Sequence, residues 1–130
     1  MESIKALSIN QPWAWAIVNG YKPVENRDWN TEYRGKVLIH AGKKFDDEGY
    51  EFIKKMLPTA NVPIKDDFFM GGIVGSAYIV DCVKQMESEW FFGEYGFVIA
   101  DARPCAPIIC KGALGFFTPD YNSRYKEKTK

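Results

Sequence analysis

The chain has 130 residues, 46% hydrophobic and 26% charged, which fits one globular domain with its own core and excludes a largely disordered chain. Seventeen Lys and Arg balance seventeen Asp and Glu, so no overall positive field gathers long duplex DNA at a distance. A membrane-spanning helix is excluded too: the longest purely apolar run, Trp13 to Val18, is six residues where about 20 are needed.

In chain order, Ala6 to Ile9 reads as a short strand. A helix follows, capped by Asn10 or Gln11, with Pro12 in its first turn and Asn19-Gly20 as its close. Its i,i+4 pairs, Trp13 with Ile17 and Ala14 with Val18, are expected to face the core. Pro23 to Trp29 is expected to be extended, since proline disfavours a helical residue before it. Gly35 to Ala41 is a second strand. Phe45 to Leu57 is an amphipathic helix, acidic at its start (Asp46, Asp47, Glu48), basic at its end (Lys54, Lys55), and stopped by Pro58.

Thr59 to Met70 reads as a loop. Ile73 to Val83 is a long β-branched strand with Gly75 as a candidate bulge. Gly96 to Ala102, Ile108 to Cys110 and Ala113 to Phe117 are separate shorter strands, and Asp120 to Lys130 is a polar, lysine-rich end. The class is α+β: a small barrel or curled sheet of five or six strands with two helices packed at its side. Residues 1–118 form the expected domain and 119–130 a basic tail.

The neutral total hides a segregation. From Lys22 to Lys44 there are six basic and three acidic residues, from Phe45 to Tyr95 four against ten, and from Gly96 to Lys130 six against three. A local basic face on a neutral chain suits a short anionic or nucleotide-like ligand better than a long duplex; the alternative is that each charge solvates its own surface. Four Trp, seven Tyr and nine Phe make 15% of the chain, most of them core and a few able to stack on a planar ligand.

The N-terminus, Met1-Glu2-Ser3-Ile4-Lys5, lacks the basic and apolar pattern of a signal peptide. Cys82, Cys105 and Cys110 are too few for a disulfide scaffold, so a cytosolic location with free thiols is expected. Cys105 and Cys110 have no further partners for zinc, and the single histidine, His40, reads as a satisfied strand residue. No metal and no cofactor is expected.

The chemistry concentrates between Gly20 and Trp29. If Val24 to Trp29 is extended, Glu25, Arg27 and Trp29 share one face, with Lys22 at its mouth. Such a set can hydrogen-bond a base edge, clamp a phosphate through Arg27 and cover a ring with Trp29. It can also transfer protons, if burial lowers the basicity of Lys22 and Glu25 relays the proton. The alternative is an ion pair of Glu25 with Arg27 or Lys22 that fixes a turn.

The run Leu7-Ser8-Ile9-x-Gln11-Pro12-Trp13-Ala14, continuing through Gly20-x-Lys22-x-x-Glu25-x-Arg27-x-Trp29, resembles the opening motif of ASCH domains of the PUA-like superfamily. The likeness continues in Arg34-Gly35, Ile39-His40-Ala41, Gly72-Ile73-Val74-Gly75 leading to Asp81-Cys82, Tyr95-Gly96-Phe97 and Cys110-Lys111-Gly112-x-Leu114-Gly115. It implies a PUA-like β-barrel with side helices, and binding of RNA or a nucleotide in a cleft between the first helix and the barrel. Lys22, Glu25 and Arg27 would line that cleft, joined by Gln11, Trp13 and Trp29. Arg34 either supports the site or holds the turn at Gly35.

Two enzymatic branches of the family give the alternative, a small hydrolase of acetylated cytidine nucleosides or a ribonuclease, in which Lys22 and Glu25 are the catalytic candidates. In the deacylating branch a Lys and a Thr precede the Arg; here Lys22 and Arg27 match, and Glu25 stands where the Thr would be. A third reading is an interaction module whose cleft takes a protein partner, marked by an exposed apolar patch beside it.

Overall fold

Eight elements follow one another in the computed structural model, which describes residues 4–121. They are β1 (Lys5–Gln11), α1 (Trp13–Val18), β2 (Val24–Arg27), β3 (Gly35–Phe45), α2 (Asp47–Met56), β4 (Gly72–Val83), β5 (Tyr95–Ile109) and β6 (Phe116–Phe117), with a 3-10 turn at Lys65–Asp67. The class is α+β. The strands form one mixed sheet of order β2-β5-β4-β3-β1-β6, parallel between β1 and β3 and antiparallel elsewhere. The parallel pair needs a crossover, and α1 with β2 supplies it.

The sheet is barrel-like without strict closure, because no backbone ladder joins β2 to β6 at its two ends. Aromatic packing bridges part of the gap. Trp29, two residues past β2, places its ring 5.1 Å from Phe97 of β5 and 5.6 Å from Phe116 of β6, both edge-on. Such contacts add about 0.5–1.5 kcal/mol each beyond the area they bury.

Alternation puts Leu7 and Ile9 of β1, Val37 and Ile39 of β3, and Ala77 and Ile79 of β4 on the inner face, where they meet Phe97. Ala14, Ile17 and Val18 of α1 complete this core. Full burial of each Ile, Leu or Phe contributes about 1.5–3 kcal/mol. A second cluster of Ala16, Val24, Ile53 and Trp90 ties α2 and the 84–94 loop to α1 and β2. Trp90 therefore anchors its loop against both helices and β2.

The start of α1 differs from expectation: Pro12 is its N-cap and precedes the first turn, and Gln11, one residue further out, accepts from Trp15 N through Oε1 at 2.9 Å. Asp46 caps α2 by accepting from Gly49 N at 2.9 Å.

Two further expectations are corrected. Gly96 to Ala102 and Ile108 to Cys110 are not separate strands; they belong to the single fifteen-residue β5. Beyond Val98, β5 has a ladder partner on one side only, so the missing N–H groups of Pro104 and Pro107 can point to an open edge. The pairing with β4 is irregular between Ile73 and Gly75, where the glycine suggested a bulge, and Pro107 falls within that irregularity. The strand expected over Ala113 to Phe117 shrinks to Phe116–Phe117. The basic tail expected from residue 119 lies, from 122 onward, outside the described residues.

Candidate functional site

β6 pairs only with Ala6 and Leu7, so the edge of β1 from Ser8 onward is left without a neighbouring strand. β2 is the opposite end of the sheet order. Between these two edges lies a cleft of about 540 Å³, walled by Ser8, Ile9 and Asn10 on one bank and Glu25 to Trp29 on the other, with Trp13 and Lys22 at its base. The cleft is the stretch of seam that the aromatic plug leaves open.

Three charged side chains cross it. Lys22 is only 3% exposed and Glu25 7%. Lys22 Nζ donates to the Val24 carbonyl at 2.6 Å and to Glu25 Oε1 at 3.3 Å, and lies 5.3 Å from the centre of the Trp13 ring. Arg27 Nε donates to Glu25 Oε2 at 3.0 Å, and its Nη2 donates across the seam to the Ser8 carbonyl at 2.8 Å. Glu25 therefore holds one cation on each carboxylate oxygen. Burial pushes the Lys22 ammonium below its ordinary range; Glu25 opposes that shift, and Arg27 adds to it.

Trp13 owes its position to α2. Its Nε1 donates to Asp46 Oδ2 at 2.8 Å, while Asp46 Oδ1 caps the helix. The indole lies so close to α2 that a Cβ on Gly49 would stand 2.5 Å from its ring, so only glycine lets the helix approach there.

Lys22, Glu25, Arg27, Trp13 and Trp29 are thus brought to one concavity. Trp29 serves it with one face while packing on Phe97 and Phe116. Gln11 and Arg34 are not brought there. Gln11 is buried on the far side of α1's first turn, donating to the Phe69 carbonyl at 2.9 Å, and both ends of its amide are used within the fold. Arg34 is turned back onto the Thr31 and Tyr33 carbonyls and lies 3.6 Å from Asp81, so it holds the approach to Gly35.

Ser8, Asn10, Asn26 and Asp28 line the cleft without having been singled out in the sequence. Asn26 and Asp28 sit inside the motif and were legible as neighbours; Ser8 stands in the motif and Asn10 was read as a helix cap, and neither was read as a site residue. His40 is buried with both ring nitrogens engaged, Nε2 on the Cys110 carbonyl at 2.9 Å and Nδ1 beside Ser8 Oγ at 3.0 Å. The carbonyl accepts only, so Nε2 carries the proton and Nδ1 is left to accept from the serine hydroxyl. No helix of the described residues is long and apolar enough to cross a membrane.

The ASCH domain family matches residues 7–129. The chain belongs to the ASCH domain family. It is 33% identical over 109 residues to Activating signal cointegrator 1 of Mus musculus and equally to that of Homo sapiens, a match covering 81% of this chain and 18% of each relative. This ASCH chain is therefore similar to less than a fifth of those relatives' length. Its fold is also that of the crystal structure of an ASCH point variant from Zymomonas mobilis, with a TM-score of 0.54, 17% identity and 98% of both chains covered.

Proposed function

We propose that the protein binds RNA or a nucleotide in the seam cleft, with Lys22, Glu25 and Arg27 as its polar floor and Trp13 and Trp29 as its aromatic walls. The observation that carries this reading is the arrangement at Arg27. The guanidinium is held rigidly by Glu25 and Ser8, and among the described residues its Nη1 has no acceptor, which leaves charge-assisted donors for a base oxygen or a phosphate. The volume is of the size that holds a small organic ligand, within roughly 300–1,000 Å³. Two indoles on the walls suit a planar one. RNA binding is also what membership of the ASCH family suggests.

The test is a titration of the full chain with fluorescein-labelled single-stranded RNA, with unlabelled mononucleotides as competitors. Saturable binding that mononucleotides compete and that Arg27→Ala weakens at least tenfold is the expected result. Binding that ignores Arg27, or preference for a long DNA duplex, would overturn it.

One observation favours a second reading, a hydrolase acting on a modified nucleoside. Lys22 is buried beside a carboxylate and its basicity is lowered, as a catalytic lysine requires. Against it stands the Glu25 carboxylate, whose oxygen at 3.3 Å favours the charged ammonium over the free amine. Incubation with acetylated cytidine, followed by chromatography, separates the two: the binder leaves it intact.

A further inference from the structure

We propose that a single strand of RNA with one nucleotide in the cleft leaves it across Asn10 and Gly42, and that its next phosphates lie on Lys43, Lys44 and Lys111. This rests on the nucleotide-binding reading above and adds the direction of the strand and the cations that hold it.

The two banks of the cleft differ in charge. On the β1 bank, a Cβ on Gly42 would stand 3.2 Å from Asn10 Oδ1 and 3.3 Å from Ser8 Oγ, and one on Gly112 would stand 3.2 Å from the same hydroxyl. Ser8 and Asn10 line the cleft, so the backbone at 42 and at 112 runs directly against its rim. The residues next along the chain are Lys43 and Lys44 on one side and Lys111 on the other. These stretches are neighbours in space. The Lys43 side chain lies along Gly71, where a Cβ would be 3.4 Å from Lys43 Cε, and the Gly71 carbonyl accepts from Cys110 N at 3.3 Å. All three lysines are exposed, and among the described residues none stands in an ion pair. With glycine at 42 and at 112, no side chain from either position stands between the cleft and these ammonium groups.

On the β2 bank, Asn26 clamps the neighbouring loop, donating from Nδ2 to the Trp90 carbonyl at 3.0 Å and accepting from Phe92 N at 2.9 Å. That loop carries exposed Glu87, Glu89 and Glu94 and no cation between Met86 and Glu94, and exposed Asp28 lines the cleft itself. A polyanion leaving the cleft meets three lysines one way and, the other way, four carboxylates against one lysine, Lys84 at the start of the loop. The field sorts the two exits without any base contact.

The experiment compares short uridylate and adenylate oligonucleotides with UMP and AMP, on wild type and on the triple variant Lys43→Glu, Lys44→Glu, Lys111→Glu. Wild type is expected to bind the oligonucleotides at least tenfold more tightly than the mononucleotides. The triple variant should lose most of that gain and keep its mononucleotide affinity. Its salt dependence should flatten by roughly 0.7 in log–log slope for each phosphate contact removed. Replacing the three lysines by arginine should preserve binding, as should Lys54→Glu with Lys55→Glu on α2. Equal affinity for oligonucleotides and mononucleotides, equal loss in the α2 variant, or equal binding of a poly-glutamate tract would overturn the exit. A strand held by the lysines but insensitive to Arg27→Ala would overturn the cleft reading and leave the basic track standing. No binding of either probe overturns both.

Discussion

Arg27 Nη2 donates to the Ser8 carbonyl at 2.8 Å, joining β2 to β1 where no ladder does. One side chain thus performs what a row of backbone bonds performs elsewhere in the barrel, and it leaves the space beside it open. Arg27→Lys keeps the charge but loses the fork that reaches Glu25 and Ser8 together. We expect it to lower stability by about 1–3 kcal/mol, because the Ser8 carbonyl and a carboxylate oxygen lose a charge-assisted partner. Denaturant unfolding reads the loss; an unchanged midpoint with an unchanged slope would show that the seam does not depend on this bond.

Among the described residues, Glu25 is the only anion in ion pairs with two cations. Glu25→Gln preserves its shape and removes its charge, leaving Lys22 buried without a counter-ion. Breaking a buried pair by neutralising one partner costs about 3–5 kcal/mol, and a loss near that size is expected. Glu25→Gln with Lys22→Met removes both members and should recover part of it. A double variant no more stable than the single one would show that the Lys22 charge is not the source of the cost.

The direction of the Lys22 shift sets a pH dependence. Its folded-state pKa lies below the ordinary lysine value of 10.5, so between the two the unfolded chain binds more protons than the folded one. Stability then rises with pH across that window and levels off above it. Cys105 and Cys110, whose thiols burial pushes up, act in the opposite sense at alkaline pH. The comparison that isolates Lys22 is wild type minus Lys22→Met. That difference should move in favour of wild type as pH rises towards 10.5, and a flat difference would contradict a strained, buried ammonium.

Asp46 carries two duties that substitution can separate. Serine at 46 still caps α2 but is too short to reach the Trp13 indole. Asp46→Ser is expected to cost about 0.5–1.5 kcal/mol, the worth of one net hydrogen bond. It should also shift the indole fluorescence and weaken ligand binding as the wall of the cleft loosens. Gly49→Ala should disturb the same edge of the ring by crowding it, since its Cβ would stand 2.5 Å away. Equal binding by wild type and both variants would remove Trp13 from the site.

Much of this was legible because it is local. Period-two alternation places Glu25 and Arg27 on one side of β2 and brings Lys22 to its mouth, so the ion-pair chain could be anticipated from six consecutive residues. The acidic start of α2 and the inward residues of β1 and β3 follow from the same short-range rules, and the opening ASCH motif lies within the first thirty residues.

What tertiary structure alone decided is which distant group meets each of these. The Ser8 carbonyl reaches Arg27 across 19 residues and Asp46 reaches Trp13 across 33; the first meeting depends on a curled sheet that brings β2, one end of the strand order, to the part of β1 that the short β6 leaves uncovered. Gln11 and Arg34 carry the residue types of a binding site, yet their donors are taken by the Phe69 carbonyl and by the Thr31 and Tyr33 carbonyls. The continuity of β5 through Pro104 and Pro107 was likewise hidden, since it depends on which edge lies open. Local pattern determines which face a side chain presents. Strand pairing is selected by the burial of the whole core, and only that selection determines what the face finds opposite it.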